Sequence, residues 1–111
     1  MNPRTLTLLA GLLLAGAAHA DPPDGPALYN SNCTRCHGAD GKGLTFLGRM
    51  YHVRNFTDGR WQASLSDDDI YNTISNSSSR FSVMPAFKGR LSEDERRALV
   101  RVVRGFNAGS Q

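Results

Sequence analysis

Apolar residues recur at helical spacing in the later part of the chain, and no stretch alternates long enough to predict a strand. The strongest pattern is a stripe with the i, i+3, i+4, i+7 spacing of one buried face, formed by Leu99, Val102, Val103 and Phe106. Just before it, Ser92 and Glu95 have the spacing of a capping box, which satisfies free N–H groups at a helix start. This pattern predicts a helix over residues 92–106.

A second helix is predicted over residues 66–76. Ser66 is a suitable N-cap, and three aspartates follow it at the positive end of the helix dipole. Ile70 and Ile74 stand four residues apart and provide an apolar face. A run of three serines then ends the pattern.

The rest of the chain predicts one further helix and long loops. The first helix is predicted over residues 27–36, because Pro26 suits a helix N-terminus. Residues 37–43 hold three glycines and predict a turn, and residues 44–63, which lack a sustained period, predict a long loop with one short helical turn at most. The prediction is an all-α chain with about three main helices. Such a long loop is acceptable in a compact domain if it wraps a large apolar group.

The N-terminal residues are typical of a secretory signal. Arg4 is the only charged residue before an apolar run over residues 6–18, and Ala18-His19-Ala20 is a cleavage pattern. We therefore predict a cleaved signal peptide at 1–20, a loose leader at 21–26 and one folded domain at 27–111. The run is short for a bilayer span, so an uncleaved membrane anchor is the alternative.

A chain of 111 residues allows one domain. Once the signal is removed, the core is small enough to need extra stabilisation from a disulfide, a metal or a cofactor. The two cysteines, Cys33 and Cys36, are too close in sequence to cross-link distant segments, so a cofactor is expected to stabilise the core. Loss of Arg4 with the signal lowers the formal charge from +3 to +2, and without a concentrated basic surface the composition argues against nucleic-acid binding.

Cys33-Thr34-Arg35-Cys36-His37 has the C-x-x-C-H spacing of covalent haem c attachment. Two thiols on one helical turn can add to the two vinyl groups of a porphyrin, and the next residue offers its imidazole to the iron. This attachment takes place outside the cytoplasm, in agreement with the export signal. A redox disulfide and a zinc site are the alternatives. A redox-active Cys-x-x-Cys pair usually follows a strand, and no strand is predicted before Cys33. A zinc site would need more ligands, because His37 and His52 are the only histidines after the signal.

The sixth iron ligand has three candidates, which are Met84, Met50 and His52. We favour Met84, because Pro85 stiffens its loop and removes a backbone donor, and because the chain from His37 is long enough to circle a porphyrin. Met50 is expected to line the pocket or the surface, and His52 to be a solvated loop residue. Both remain alternative ligands at this point.

With these motifs the chain resembles a bacterial class I cytochrome c over nearly all of residues 21–111. The resemblance rests on Cys-Thr-Arg-Cys-His-Gly-Ala-Asp-Gly-Lys-Gly at 33–43, on Met84-Pro85-Ala86-Phe87, and on the last helix over residues 91–106. It implies the small cytochrome c fold wrapped around one covalent haem c. Its first and last helices would cross through Tyr29, Leu99, Val103 and Phe106.

The resemblance also implies that His37 and Met84 are the axial ligands of the haem iron, a pair that raises the reduction potential. One departure concerns the proline whose carbonyl, in many members, faces the free N–H of the proximal histidine. No proline lies between His37 and Pro85, so the sequence leaves that acceptor unnamed. Candidate partners for the haem propionates are Arg54, Asn55 and Trp61, whose side chains all donate hydrogen bonds.

The leading functional prediction is a periplasmic electron carrier that is not an enzyme, because a closed sixth position leaves no iron site for a substrate. Its redox donor and acceptor would bind through transient contacts, and the mature chain would have no membrane span. One alternative is an electron-entry subunit of a larger redox complex. Another is a haem peroxidase or gas-binding protein with a labile sixth ligand, for which His52 is the obvious distal acid or base.

Overall fold

The computed structural model describes Gly11 and residues 21–107, so the predicted signal peptide lies, apart from Gly11, outside the described residues. All regular structure in this part is helical, which confirms the all-α prediction. Within residues 21–107 six helices follow one another as α1 Gly25–Asn32, α2 Thr34–His37, α3 Phe46–Met50, α4 Gly59–Ser64, α5 Asp67–Asn76 and α6 Glu93–Gly105. None of the helices found in the described range has the length and apolarity that a bilayer span requires.

The two helices whose N-caps the sequence predicts, α5 and α6, start where expected. The Ser66 hydroxyl accepts the Asp69 N–H, and the Asp69 carboxylate accepts the Ser66 N–H in return. Ser92 and Glu95 form the same reciprocal pair at the start of α6. Both boxes satisfy N–H groups that have no partner inside the helix.

Two predictions of local structure were wrong. The helix predicted at 27–36 is split, because Cys33 leaves helical geometry at φ −122° and separates α1 from α2. The loop predicted at 44–63 contains two short helices, since Thr45 caps α3 and Asp58 caps α4 through bonds to N–H groups of their first turns. Caps of this kind start a helix without any apolar period in the sequence.

The core forms where α6 packs against both α1 and α5. The rings of Tyr29 and Phe106 lie 5.1 Å apart, and Leu99 is the most deeply buried side chain in the described range at 1% exposure. At Gly25 an added Cβ would stand 2.9 Å from Val102 Cγ2, so the start of α1 approaches α6 closely. The predicted packing of the first helix on the last is therefore confirmed.

A polar pair, the buried Gln62 and the half-buried Arg104, attaches α4 to the end of α6. The Gln62 side chain is 2% exposed, and its amide donates to the carbonyls of Phe56 and Val103, each at 2.8 Å. The Arg104 guanidinium donates to the backbone and side-chain oxygens of Gln62 at 2.6 and 2.9 Å and to the Leu65 carbonyl at 2.6 Å. These bonds fix a segment that has no apolar period of its own.

Gly48→Ala should destabilise the protein by about 2–3 kcal/mol, the range expected for overpacking that shifts the backbone. The reason is that an added Cβ would collide with the carbonyl oxygens of Gly43 and Cys36. Gly105→Ala is the control, because an added Cβ there meets nothing within 4 Å. It should leave stability unchanged or raise it by up to ~1 kcal/mol. Guanidinium unfolding followed by circular dichroism measures both, and equal midpoints would contradict the close approach of α3 to residue 36.

Candidate haem site

A cavity of about 420 Å³ lies between the helices, a size typical of small-molecule and cofactor sites. All four predicted site residues line it, although they come from two segments far apart in sequence: Cys33, Cys36, His37 and Met84. Much of the remaining wall is apolar and includes Val53, Phe56, Trp61, Leu65, Ile70, Ile74, Val83, Phe87 and Val103. We call this space the site cavity.

Cys33 precedes the single helical turn α2 and Cys36 lies within it, and carbonyl groups at the end of this turn accept hydrogen bonds from neighbouring segments. The Tyr29 hydroxyl on α1 donates to the Gly38 carbonyl at 2.6 Å. The Thr45 hydroxyl, which also caps α3, donates to the Cys36 carbonyl at 2.7 Å. Because α2 has only four residues, its orientation depends on such bonds to neighbouring segments.

The glycine-rich turn after His37 folds back onto the end of α2. The Gly43 N–H donates to the His37 carbonyl at 2.8 Å, and Gly38, Gly41 and Gly43 all have positive φ between 70° and 79°. At Gly41 a Cβ would also meet the Phe106 ring at 2.7 Å. A side chain at these positions would be strained, so the glycines allow the chain to turn back onto α2.

The His37 imidazole has the backbone acceptor that the sequence left unnamed. Its Nδ1 lies 3.3 Å from the carbonyl oxygen of Arg54. A carbonyl only accepts, so Nδ1 carries the proton and Nε2 keeps a lone pair. Burial lowers the pKa of His37 below its ordinary value, while the bond to Arg54 acts in the opposite direction. The Phe56 ring stacks on the imidazole with centroids 4.3 Å apart. The result is a neutral, oriented imidazole suited to a metal ion.

The three candidate sixth ligands are placed differently. Met84 is partly buried, packs against the hydrophobic core, and lines the site cavity. Met50 ends α3 with half of its surface exposed and is absent from the cavity wall. His52 reaches the wall from an exposed position with a positive φ of 51°. The structure therefore brings Met84 together with His37 and leaves Met50 outside.

The three candidate propionate partners also differ in whether they line the site cavity. Arg54 and Trp61 line the site cavity, and Trp61 packs against Phe56 with ring centroids 5.4 Å apart. Asn55 is not part of the wall, because its side-chain oxygen accepts the N–H and hydroxyl of Thr57 at 2.9 and 2.6 Å. Asn55 therefore forms a local turn, while Arg54 and Trp61 remain candidates.

The thiol chemistry argues against disulfide exchange. Burial, together with the neighbouring Cys36, raises the pKa of the Cys33 thiol to about 11. Redox-active Cys-x-x-Cys pairs instead depend on a lowered thiol pKa. Two half-buried thiols, a neutral imidazole and a thioether around one largely apolar cavity are a set that fits a covalently attached haem.

Comparison with known proteins identifies relatives of the same kind. A family model described as cytochrome c oxidase, cbb3-type, subunit III matches residues 20–101. Over 99 residues the chain is 38% identical to the cbb3-type cytochrome c oxidase subunit FixP of Azorhizobium caulinodans, covering 86% of this chain and 32% of that protein. It is 31% identical over 100 residues to subunit CcoP of Cereibacter sphaeroides, covering 88% and 32%. The chain thus spans about a third of the length of these curated relatives.

Solved structures agree on the fold. The KustC0563 c-type cytochrome superposes with a TM-score of 0.70 at 43% identity, covering 76% of this chain and 98% of that one. The c-type cytochrome XoxG from Methylobacterium extorquens AM1 superposes with a TM-score of 0.59 at 26% identity, covering 78% and 50%. The small cytochrome c fold is confirmed, and with it the expectation of covalently bound haem c.

Raising the pH above about 10, the ordinary phenol pKa, should weaken the protein through Tyr29. Burial is the main reason that the pKa of Tyr29 is raised well above its ordinary value. The folded state then keeps a proton that the unfolded chain loses, so stability falls by up to ~1.4 kcal/mol per pH unit. Guanidinium unfolding between pH 7 and 11 measures this slope.

Tyr29→Phe should lose about 1 kcal/mol at pH 7, with the hydrogen bond to Gly38, and should flatten the alkaline slope. Tyr51→Phe is the matched control, because the Tyr51 side chain is 44% exposed. It should keep the slope of the unmodified protein. An unchanged slope in Tyr29→Phe would show that other groups cause the alkaline loss.

Proposed function

Because this chain belongs to the cbb3-type cytochrome c oxidase subunit III family, we propose that it acts as the one-electron relay of a larger redox complex. Family membership brings covalently bound haem c with its iron. We assign the attachment to Cys33 and Cys36 and the two iron ligands to His37 and Met84. The observation that carries the proposal is that these four side chains line one largely apolar cavity.

When bound, the haem supplies an iron that accepts and returns one electron. The protein's own groups decide how this happens. The Arg54 carbonyl holds the Nδ1 proton of His37, which fixes the ring and raises the basicity of Nε2. The aromatic wall of Phe56 and Trp61 keeps water from that side of the site cavity. A thioether ligand and a dry surrounding both raise the potential toward values useful for electron transfer.

Contact with redox partners is expected where the site cavity reaches the surface. Tyr51 and Val83 line the cavity and are 44% and 57% exposed, and the neighbouring Phe81 is 82% exposed. Residues 33–56 and 77–91, which supply this region, contain seven Lys and Arg residues against the single acid Asp40. An apolar centre within a basic surface favours a partner with an acidic face.

The relatives favour the subunit over the free periplasmic carrier, because FixP and CcoP are named as subunits of an oxidase. A free carrier is the second candidate, supported by the KustC0563 c-type cytochrome, 98% of whose chain this domain covers. A peroxidase or gas-binding protein would need an open position at the iron, and the placement of Met84 on the cavity wall speaks against one. For both leading candidates we propose that the protein works outside the cytoplasm and is exported by the signal peptide predicted at residues 1–20.

Met84→Ala should open the iron to added ligands and lower the reduction potential by roughly 0.1 V or more, within the ~0.8 V that axial ligands span. The weak far-red absorption of a methionine–iron(III) bond should disappear. Met50→Ala is the matched control, because Met50 is half exposed and outside the cavity wall. It should keep both the spectrum and the potential. The reverse result, with Met50→Ala losing the band, would assign the ligand to Met50.

A tagged chain purified from native membranes in mild detergent should elute from gel filtration with oxidase activity, well above its own 12.1 kDa. Haem absorbance and oxygen consumption should follow the same peak. Haem that elutes only as a free monomer from both the soluble and membrane fractions would instead support the carrier. A tagged Cys33→Ala, Cys36→Ala double variant, which cannot attach haem covalently, controls for non-specific retention.

A further inference from the structure

One buried cation takes no part in the site described so far. Arg96 on α6 is 8% exposed, and its guanidinium donates to the Ser75 hydroxyl at 2.6 Å and lies over the Tyr71 ring at 5.0 Å. In the part of the chain that the structure describes, the side-chain ion pairs belong to Arg97 and Arg104. Arg96 is therefore buried without a carboxylate, an arrangement that is costly unless other groups stabilise the charge.

The end of α5 provides that stabilisation. Ser75 lies in the last turn of α5, where the helix dipole is negative and the final carbonyls have no partner within the helix. The last turn of α5 contains no basic residue of its own. Arg96 supplies the missing cation from α6, and its Nε also donates to the Ser92 carbonyl at 3.3 Å.

The same end of α5 holds the segment that follows Met84. The Phe87 N–H donates to the Ile74 carbonyl at 2.9 Å, and the Lys88 N–H donates to the Ser75 carbonyl at 3.0 Å. These two bonds cap α5 and attach the loop to it three residues after Met84. Phe87 is 4% exposed, so the attachment is buried. On the other side, the Met84 N–H donates to the Ser82 hydroxyl at 3.2 Å.

We propose that Arg96 is a positioning residue for Met84 that acts through Ser75. By holding the end of α5, it keeps the Ile74 and Ser75 carbonyls in place for the loop and so limits how far the Met84 sulfur can leave the site cavity. The inference rests on the proposed role of Met84 as an iron ligand. It adds that a residue that does not line the cavity controls how firmly that ligand is held.

The test uses the haem-loaded protein and four variants. Arg96→Met removes the charge and both hydrogen bonds at similar volume, Arg96→Lys keeps the charge, and Ser75→Ala removes only the acceptor hydroxyl. Arg101→Met is the control, because Arg101 is an exposed cation on the same helix. Two readouts are taken below the unfolding temperature of each variant. They are the far-red methionine–iron(III) band and the affinity of the oxidised protein for imidazole, which competes with the sixth ligand.

Arg96→Met should bind imidazole roughly tenfold more tightly than the unmodified protein and should lose part of the band. Ser75→Ala should gain affinity about threefold, Arg96→Lys should lie between Arg96→Met and the unmodified protein, and Arg101→Met should match the unmodified protein. A purely structural role would lower the unfolding temperature of Arg96→Met and Ser75→Ala and leave both readouts unchanged. That result would overturn the proposal. If Arg96→Met does not fold with haem, the Ser75→Ala affinity decides.

The unmodified protein and Met84→Ala separate this proposal from the one on which it rests. If the unmodified protein shows the band and Met84→Ala abolishes it, Met84 is the ligand and the Arg96 and Ser75 variants judge the positioning role alone. If the unmodified protein shows no such band, the assignment of Met84 fails and the positioning role fails with it.

Discussion

The short helix α2, which begins after Cys33 and carries Cys36 and His37, has the carbonyl groups at its C-terminal end held by three different segments. Tyr29 on α1 binds the Gly38 carbonyl, Thr45 before α3 binds the Cys36 carbonyl, and the Gly43 N–H binds the His37 carbonyl. A single turn of helix is not stable by itself. The direction of two thiols and one imidazole therefore depends on these bonds, and the packing of α1 on α6 supports the first of them.

Three arginines attach the last helix, α6, to α4 and α5, which supply part of the cavity wall. Arg96 binds Ser75 near the end of α5, Arg97 pairs with Asp68 near its start, and Arg104 binds Gln62, Leu65 and Asp67 where α4 passes into α5. The apolar stripe of α6 meanwhile packs into the core. One helix thus buries the stripe predicted from its sequence and uses its polar residues to fix segments that lack a stripe.

These constraints connect the fold to electron transfer. The site cavity is lined by residues far apart in the chain, with His37 near the beginning of the domain and Met84 past its middle. A neutral imidazole held by a backbone carbonyl and a methionine on a loop attached to α5 are the two groups that, in our proposal, would hold the haem iron. An iron held by both groups would have no position for a substrate, which would suit the proposed electron relay.

The sequence by itself determined the attachment motif and the starts of α5 and α6, because each depends on residues close together in the chain. It also favoured Met84 as the partner of His37, through the Met84-Pro85 pair and the family resemblance, and that pairing stays a proposal. Only the tertiary structure decided which backbone oxygen orients His37, that Met50 stays outside the cavity, and that Arg96 is buried at the end of another helix. A carbonyl acceptor such as that of Arg54 leaves no side-chain signal in a sequence. Two short helices between residues 44 and 63 were missed for a related reason, since caps and distant contacts hold them rather than an apolar period.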